Sequence, residues 1–507
     1  MKNAKKTIIS VFLAVCLILP LYGGLTAAGA ASEAPTKLTI FGNLVPELKD
    51  SDKAVFQKLE EMTNTKLDIQ IPPSSNYTEA ITIMMASGDY PDLVLFPDQG
   101  NKAYLDGVRD GVILPVNDYI ANAPSLMAYT YPVSWKSLKV MGDDNIYGIP
   151  RTSIARADGF LVRLDWLEKL GIPFEEGKPV TLDQFTAILK AFTENDPDGN
   201  GVKDTYGFTH NADDSGNLVP PDPIKWAFGV IGWQHYDNEP YEYMDLSYSK
   251  TNDSFKQMLS YMNMLWKNQY IDPDWPTNNN DTRLLRMDQG IAGVRAEFAG
   301  WMPDYEARAQ AINPNAKLGY IVGISMGDSG MVTGGTFSTG FWGVWGVMAT
   351  SKAPQKAVSV LDTILSDDFW PTAKYGLEGS AWQYDADGNM IAVPNSMYNA
   401  PRNLVRRNND PGFFVGLATP VAYRQRVENL IGVCINQAVF SKNEGFRPAV
   451  SDDPTFIDAQ KERSVTISKI IAGDLPLDAY DASLDKWYAA GGQTYIEQMN
   501  AGIAANQ

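Results

Sequence analysis

A loop in the first half of the chain has oxygen-bearing residues at the spacing that binds Ca²⁺. In the stretch Asn195-Asp-Pro-Asp-Gly-Asn-Gly-Val-Lys-Asp204, loop positions 1, 3, 5, 7 and 9 are Asp196, Asp198, Asn200, Val202 and Asp204. Carboxylate, amide and backbone carbonyl oxygens at these positions, with glycine at position 6, are typical of an EF-hand loop. The final bidentate Glu is missing, because position 12 is Gly207. We expect a structural Ca²⁺ site, and an acidic turn without metal is the alternative.

The aromatic residues suggest carbohydrate chemistry. The chain has 12 Trp and 24 Tyr. A sugar presents apolar C–H faces and a rim of hydroxyls, so its site combines flat aromatic rings with planar hydrogen-bonding groups. Trp233 is predicted to lie in a loop and is a stacking candidate, although core packing is the default role of an aromatic residue. Arg151 is a candidate for binding hydroxyls or a carboxylate, or it forms an ion pair across a hinge.

Several kinds of catalytic and binding site are excluded by the residues present. His210 and His235 are the two histidines and lack the spacing of a zinc site or a Ser-His-Asp triad. The sequence contains neither a P-loop nor a dinucleotide-binding glycine motif. A net charge of -18 argues against binding nucleic acid. A secreted glycoside hydrolase stays open as an alternative, because 60 Asp and Glu always leave room for two carboxylates across a cleft.

The N-terminal segment has the pattern of an export signal. A basic start at residues 2–6 precedes an apolar run at residues 8–21, and the small residues Ala28-Gly-Ala30 follow. The run is shorter than the roughly 20 apolar residues of a membrane-spanning helix. We therefore predict that residues 1–31 are a signal peptide and that the protein is extracellular and soluble. The stretch Leu13-Ala-Val-Cys16 loosely resembles a lipoprotein signal, so lipid anchoring at Cys16 to the outer face of the membrane is the alternative to release.

Strands and helices alternate at the start of the predicted mature chain. Residues 37–41, 67–71 and 92–96 have the composition of strands, and helical patterns lie between them. This order predicts βαβ units and a mainly parallel sheet. Ligands of such sheets lie beyond the carboxyl ends of the strands. Asn43 and the Phe96-Pro-Asp98 turn therefore become candidate positions.

The chain length predicts more than one hydrophobic core. We predict an α/β fold with two lobes, the first formed by residues 35–149 and about 340–395, and the second by residues 150–339 and about 396–507. Cys434 is the single cysteine outside the signal, so no intramolecular disulfide is expected. Its apolar flanks indicate a thiol packed inside a helix.

Five stretches of the sequence resemble one protein family. They occur in the order in which the family has them: Ala86-Ser-Gly-Asp-Tyr-Pro-Asp-Leu-Val94, Gln289-Gly-Ile-Ala-Gly-Val with Phe298-Ala-Gly-Trp301, Phe341-Trp-Gly-Val-Trp-Gly-Val, Tyr375-Gly-Leu-Glu-Gly with Trp382, and Trp487-Tyr-Ala-Ala-Gly-Gly. Through these stretches the chain resembles the extracellular solute-binding proteins, family 1, of bacterial ABC sugar importers, and most closely the branch of lipoproteins and alginate-binding proteins. One departure is Arg295, which stands where a small residue or methionine is commoner.

The resemblance implies a binding protein without a chemical step. It implies a periplasmic-binding-protein-like type II fold, in which two lobes joined by a hinge close on a sugar. The partners would be an oligosaccharide and the membrane permease of an ABC importer, and the protein would act as a monomer. A binder of another solute such as a peptide is a further alternative. The alginate-binding relatives also carry a calcium loop.

The resemblance adds ligand-binding candidates to those chosen from the residues alone. Trp301 stands where the family places a stacking tryptophan. Phe96 and Asp98 stand where relatives have an aromatic residue and an acid. Glu378 and Trp382 belong to the family's aromatic element and are candidates for sugar contact.

Overall fold

The structure is a computed structural model of the chain. It describes residues 34–44, 47–73, 76–153, 156–213, 215–325, 331–334, 340–393, 401–443 and 446–505. The predicted export signal, including Cys16, lies outside the described residues. Within those ranges, no helix combines the length and the apolar character that crossing a membrane requires.

The elements are numbered here in chain order. The strands are β1 (Thr36–Phe41), β2 (Thr65–Gln70), β3 (Leu93–Phe96), β4 (Ile149–Thr152), β5 (Gly159–Arg163), β6 (Val180–Thr181), β7 (Tyr206–Thr209), β8 (Trp233–His235), β9 (Tyr243–Asp245), β10 (Ala292–Glu297), β11 (Leu318–Ile321), β12 (Ile324–Ser325), β13 (Met331–Gly334), β14 (Phe341–Val347), β15 (Trp382–Tyr384), β16 (Met390–Ala392) and β17 (Ala438–Val439). The helices are α1 (Asp50–Thr63), α2 (Tyr77–Ser87), α3 (Lys102–Arg109), α4 (Asn117–Ile120), α5 (Pro124–Tyr129), α6 (Pro132–Lys136), α7 (Leu164–Leu170), α8 (Leu182–Glu194), α9 (Asp222–Ala227), α10 (Ser254–Lys267), α11 (Asn280–Asp288), α12 (Met302–Ile312), α13 (Pro354–Leu365), α14 (Trp370–Tyr375), α15 (Pro401–Leu404), α16 (Val421–Gln437), α17 (Pro454–Ala472), α18 (Ala479–Trp487) and α19 (Gln493–Ala505).

The first sheet has the strand order β2-β1-β3-β14-β4. The predicted strands β1, β2 and β3 are confirmed and run parallel to one another. The prediction of a mainly parallel sheet needs a correction, because β14 is antiparallel to both β3 and β4. The chain reaches β14 after β13, which belongs to a third sheet of order β17-β13-β12-β6, and it enters the first sheet at the edge where β3 and β4 leave it.

The second sheet has the order β11-β5-β10-β7, and it also contains one strand that runs antiparallel to both neighbours. β7 and β10 run parallel, whereas β5 is antiparallel to its neighbours β10 and β11. β5 is the strand that the chain enters directly from the first sheet, after β4. In each of these two sheets, one strand therefore runs antiparallel to both of its neighbours, β14 in the first and β5 in the second.

Each sheet has its own hydrophobic core, and this confirms the predicted two-lobe α/β fold. Helix α13 is amphipathic and packs its buried face, including Leu361, on the first sheet beside Trp345. The core of the second sheet contains Phe160 and Phe208 with helices α8 and α10. Burying this apolar surface stabilises each lobe by roughly 25 cal/mol per Å² removed from water. The side chain of Phe414 packs against clusters of both cores.

Two sequence expectations inside the second lobe have clear outcomes. Cys434 lies in α16 with 1% of its surface exposed, which confirms the packed thiol. Arg295, the departure from the family pattern, is fully buried on β10. Its guanidinium stacks over the ring of Tyr305 at 3.8 Å, so α12 provides an aromatic face for a side chain that would otherwise be costly to bury.

Candidate ligand-binding site between the two sheets

The carboxyl ends of most strands in both sheets meet one shared gap. In the first sheet, β3 and β4 end beside the start of β14, as the pairs Phe96–Val344 and Thr152–Phe341 show. In the second sheet, β10 ends beside the start of β5, where Glu297 pairs with Gly159. Residues 153–158 connect the two edges, and the seven steps from Thr152 to Gly159 span at most about 25 Å. The two edges are therefore close neighbours.

Two of the predicted residues, Asn43 and Arg151, lie near the side chain of Tyr77 at the edge of the first sheet. The backbone of Asn43 and the guanidinium of Arg151 both influence the phenol of Tyr77, whose pKa is raised mainly by burial. The Tyr77 hydroxyl donates to the carbonyl of Leu95. Arg151 Nε donates to the carbonyl of Asn403 at 2.5 Å. The structure therefore brings the predicted residues Asn43 and Arg151 together, with Tyr77 between them.

Asp98 lies at the first edge, near Arg447 of the second lobe. It is exposed, and its carboxylate accepts a hydrogen bond from the backbone of Gly100 at 2.7 Å. The pKa of Arg447 is raised mainly by a hydrogen bond to Asp452, and Asp98 adds to this shift. Arg447 and Asp452 lie 2.8 Å apart. Asp98 therefore lies within electrostatic reach of a residue from the other lobe.

Trp301 lies at the edge of the second sheet. A short 3-10 turn places it after β10, and its side chain is half-buried. Its ring meets Phe414 at a centroid distance of 5.3 Å, and Phe298 meets the same ring at 5.1 Å. Because Phe414 also contacts the first core, Trp301 stands next to the contact between the lobes.

The structure places the remaining predicted residues differently. Phe96 is fully buried against Tyr104. Trp233 is 4% exposed and packs against the rings of Tyr248 and Tyr495. Trp382 is 6% exposed, and its indole N–H donates to the carbonyl of Gly376 at 2.9 Å. Glu378 is exposed, and its backbone pairs with that of Trp382 in an isolated β-bridge. In this conformation the rings of Phe96, Trp233 and Trp382 contribute to packing rather than to an open surface.

Sequence reasoning did not select Trp342, although its neighbours give a signal. This tryptophan is 49% exposed at the start of β14, on the edge that faces the gap. The register of β14 against β4 shifts between Phe341 and Val344, which is the effect of a bulge. Bulges re-aim side chains, and the positive φ of Gly340 and Gly343 permits the bend. A Trp between glycines at the start of an apolar strand is the local sequence signal that could have indicated an exposed ring.

Sequence reasoning also did not select a charged cluster at the second edge. Arg156 donates two hydrogen bonds to Asp158, at 2.7 and 2.9 Å, and lies 3.5 Å from Glu297. Arg283 lies 3.4 Å from the same Glu297. Burial lowers the pKa of Arg156, but Asp158 and Glu297 outweigh it and raise the pKa overall. The guanidinium of Arg156 also lies 5.1 Å from the ring centroid of Phe298. The cluster joins residues far apart in the sequence.

The predicted calcium loop gathers its oxygen ligands around one amide. Asn200 Nδ2 donates to Asp198 at 2.8 Å and to both oxygens of Asp204 at 3.2 Å. The carboxylate of Asp196 accepts from the backbone N–H groups of residues 199–201. Burial and the neighbouring Asp196 raise the pKa of Asp198. The described residues hold no group of three His, Cys, Asp or Glu side chains already arranged around one metal position.

Comparisons with known proteins agree with this architecture. The model of the family described as bacterial extracellular solute-binding protein matches residues 45–369. The polygalacturonan/rhamnogalacturonan-binding protein YtcQ of Bacillus subtilis is 25% identical over 491 residues, which cover 92% of this chain and 91% of YtcQ.

Solved structures with the same fold include two sugar-binding proteins. The alginate-binding protein AlgQ2, solved without calcium ion, has a TM-score of 0.64 at 18% identity, with 93% of this chain and 99% of AlgQ2 covered. The ABC-transporter substrate-binding protein FusA of Streptococcus pneumoniae, as an EF-hand mutant with fructo-nystose, has a TM-score of 0.62 at 18% identity, with 92% and 99% covered. With its family model matched over most of its length, the chain belongs to the bacterial extracellular solute-binding proteins.

Proposed function

We propose that this protein captures an oligosaccharide in the gap between its lobes and delivers it to the permease of an ABC importer. The observation that supports this most is the meeting of two sheet edges that carry Trp342, Trp301 and hydrogen-bonding side chains. Rings of this kind cover the apolar faces of sugars, and planar polar groups satisfy the hydroxyls. The carbohydrate ligands named for YtcQ, AlgQ2 and FusA support the same ligand class.

The protein would bind its ligand without chemical change. Glycoside hydrolysis needs one carboxyl group that donates a proton and a second that acts as base or nucleophile. The carboxylates at the second edge, Asp158 and Glu297, both lie against Arg156. Both carboxylates contact the same guanidinium, and their remaining oxygen lone pairs can accept hydrogen bonds from the hydroxyls of a bound sugar.

Ligand capture would favour the closed arrangement of the lobes, because only that arrangement allows contacts to both edges at once. Small-angle scattering tests this: adding a bound oligosaccharide should reduce the radius of gyration. An unchanged radius with calorimetrically proven binding would refute closure. The same titration with Trp342→Ala should show a weaker affinity by at least tenfold. The control is Ile312→Ala, since this residue is 58% exposed at the far end of α12 and should leave the affinity unchanged.

We propose that the loop at residues 196–204 binds Ca²⁺ and anchors the connection between α8 and β7. The donor set fits a hard cation, because Asp196, Asp198, Asn200 and Asp204 all offer side-chain oxygens. The side-chain amide of Asn200 donates hydrogen bonds to two of these carboxylates, those of Asp198 and Asp204. A bound cation would replace these hydrogen bonds by coordinating the carboxylate oxygens itself. Adding Ca²⁺ after chelation should raise the melting temperature. An equal rise in Asp198→Ala would contradict the assignment.

The division of the chain and its location are also proposals. Leu404 and Phe413 pack in the core of the first sheet, whereas Val415 packs with the second. We therefore propose that the last crossing between the lobes lies at residues 413–415, later than the boundary near residue 395 expected from sequence.

We further propose that the protein is exported by residues 1–31 and acts as a monomer. Mass spectrometry of the mature N-terminus would distinguish release from a lipid on Cys16.

A further inference from the structure

The second lobe contains a cavity that is not lined by any of the predicted ligand residues. Its wall includes Ile231 and Gly232, which directly precede Trp233. It has a volume of about 330 Å³ and opens between α9 and α17. This size is at the lower end of the roughly 300–1,000 Å³ of ligand pockets, so it suits one ring better than a chain. Asp222 lines the cavity and also acts on the carboxyl group of Asp158, which places the cavity beside the edge that faces the gap.

A buried arginine on α17 lines the cavity and lacks an anionic partner. Arg463 is 8% exposed, and its Nη2 donates to the carbonyl of Ser247 and, at 3.0 Å, to the hydroxyl of Tyr480. Its Nε has no hydrogen-bond partner. Throughout the described ranges, no carboxylate forms an ion pair with this guanidinium. Arg463 therefore contributes to the cavity wall a cation that no direct ion pair neutralises.

The charges around the cavity are balanced. Lys225 lies 2.5 Å from Asp222. Asp245 accepts a hydrogen bond from the backbone of Ser247 and acts electrostatically on both Lys225 and Arg463. The walls therefore present two cations and two carboxylates. An anionic ligand would meet both carboxylates, and a cationic ligand would meet both cations.

A polyhydroxylated ring without charge satisfies this environment. Each hydroxyl donates to a carboxylate and accepts from a lysine or arginine at the same time. The apolar part of the wall, which includes Trp226 and Phe255, matches the C–H face of such a ring. We propose that the cavity is a recognition pocket for one uncharged sugar ring of the captured oligosaccharide. This inference rests on the proposed function and adds that at least one ring of the ligand is neutral.

The first test uses matched single-ring probes on the full mature protein. Methyl glycosides of glucose, galactose and mannose are compared with the corresponding uronic acids by calorimetry. The neutral member of at least one pair should bind at least tenfold more tightly. Ser464→Leu, which adds volume from α17 into the cavity, should abolish this binding, whereas Val465→Leu on the neighbouring exposed position should retain it. Equal affinity for the charged probes would overturn the proposal, as would wild-type binding in Ser464→Leu.

A second variant tests charge selection independently of packing. Asp245→Asn keeps an oxygen for the backbone N–H of Ser247 but removes one negative charge, so the preference for neutral over charged rings should fall by at least fivefold. An unchanged preference would contradict the role of charge balance. Oligosaccharide affinity separates the two proposals. If the wild type binds no oligosaccharide, the proposed function itself fails. If it binds one with equal affinity in Ser464→Leu, the pocket inference alone is refuted.

Discussion

His210 offers the sharpest test of how the second edge is built. It follows β7 and packs between Phe208 and Trp275, with ring centroids 6.1 and 5.9 Å away. Its Nδ1 is buried without a hydrogen-bond partner. Burial lowers the pKa of His210 from 6.5 to about 3, Arg283 and Lys225 add to the shift, and Asp222 opposes it. The folded protein therefore keeps this ring neutral under conditions in which the unfolded chain already binds a proton.

The sign and size of the effect follow from this difference. Above the unfolded pKa of 6.5 both states are neutral at this ring, and stability is unaffected. As the pH falls below that value the unfolded state gains a proton first, so stability is lost progressively until the folded pKa of about 3 is reached. One pKa unit corresponds to 1.36 kcal/mol, so acidification to about pH 5 should cost roughly 2 kcal/mol of unfolding free energy.

The assay compares urea unfolding of the wild type and His210→Phe near pH 7.5 and near pH 5. Phenylalanine preserves an aromatic ring between its two neighbours but binds no proton. The stability difference between the two proteins should therefore shift by about 2 kcal/mol in favour of the variant on acidification. His235→Phe is the matched control, because that ring is 61% exposed and should follow the wild type. Parallel loss of stability in the wild type and His210→Phe would refute the reasoning.

Two further predictions concern backbone conformation and thiol chemistry. Gly148 has a φ of 129°, and a Cβ there would lie 2.7 Å from the side chain of Val344 and 2.8 Å from the carbonyl of Trp345. Gly148→Ala should therefore destabilise the first lobe by about 1–3 kcal/mol in thermal unfolding, and more than Gly142→Ala, whose surroundings are open. Burial raises the pKa of Cys434 to about 12, so iodoacetamide should label it only after denaturation, as read by mass spectrometry. Rapid labelling of the folded protein would contradict this.

The sequence predicted those parts of the fold whose signal is local. Strands β1 to β3 and helices α1 and α2 were predictable because apolar spacing marks each of them, and because Gly42 and Gly88 directly follow β1 and α2. The direction of β14 was not, because it depends on the path of the chain through the other lobe. Phe96 was chosen for its position after a strand, but β3 is buried on both faces and the ring follows the strand into the core. Helix and strand patterns record which residues are apolar, not which face stays open.

The same distinction explains the outcome for the site. The loop at residues 196–204 was recognisable because its oxygen-bearing residues lie within ten residues of one another. The pairing of Arg156 with Asp158 and Glu297 needs two strands of the second sheet to end side by side, and no local pattern contains that information. Trp342 had a local signal in its glycine neighbours. Its exposure, however, follows from a bulge that forms only when β14 pairs with β4.

Three arginines near the proposed binding gap are each paired with a carboxylate. Arg156 is matched by Asp158, Arg283 by Glu297 and Arg447 by Asp452. A polyanionic ligand would have to compete with these carboxylates and approach a chain with a net charge of -18. A hydroxyl-rich ligand has no such competition, because it can accept from a guanidinium and donate to a carboxylate without breaking the ion pair. These three pairs therefore favour a ligand that is recognised through hydroxyl geometry and ring stacking, and the balanced charges of the cavity near Arg463 follow the same principle.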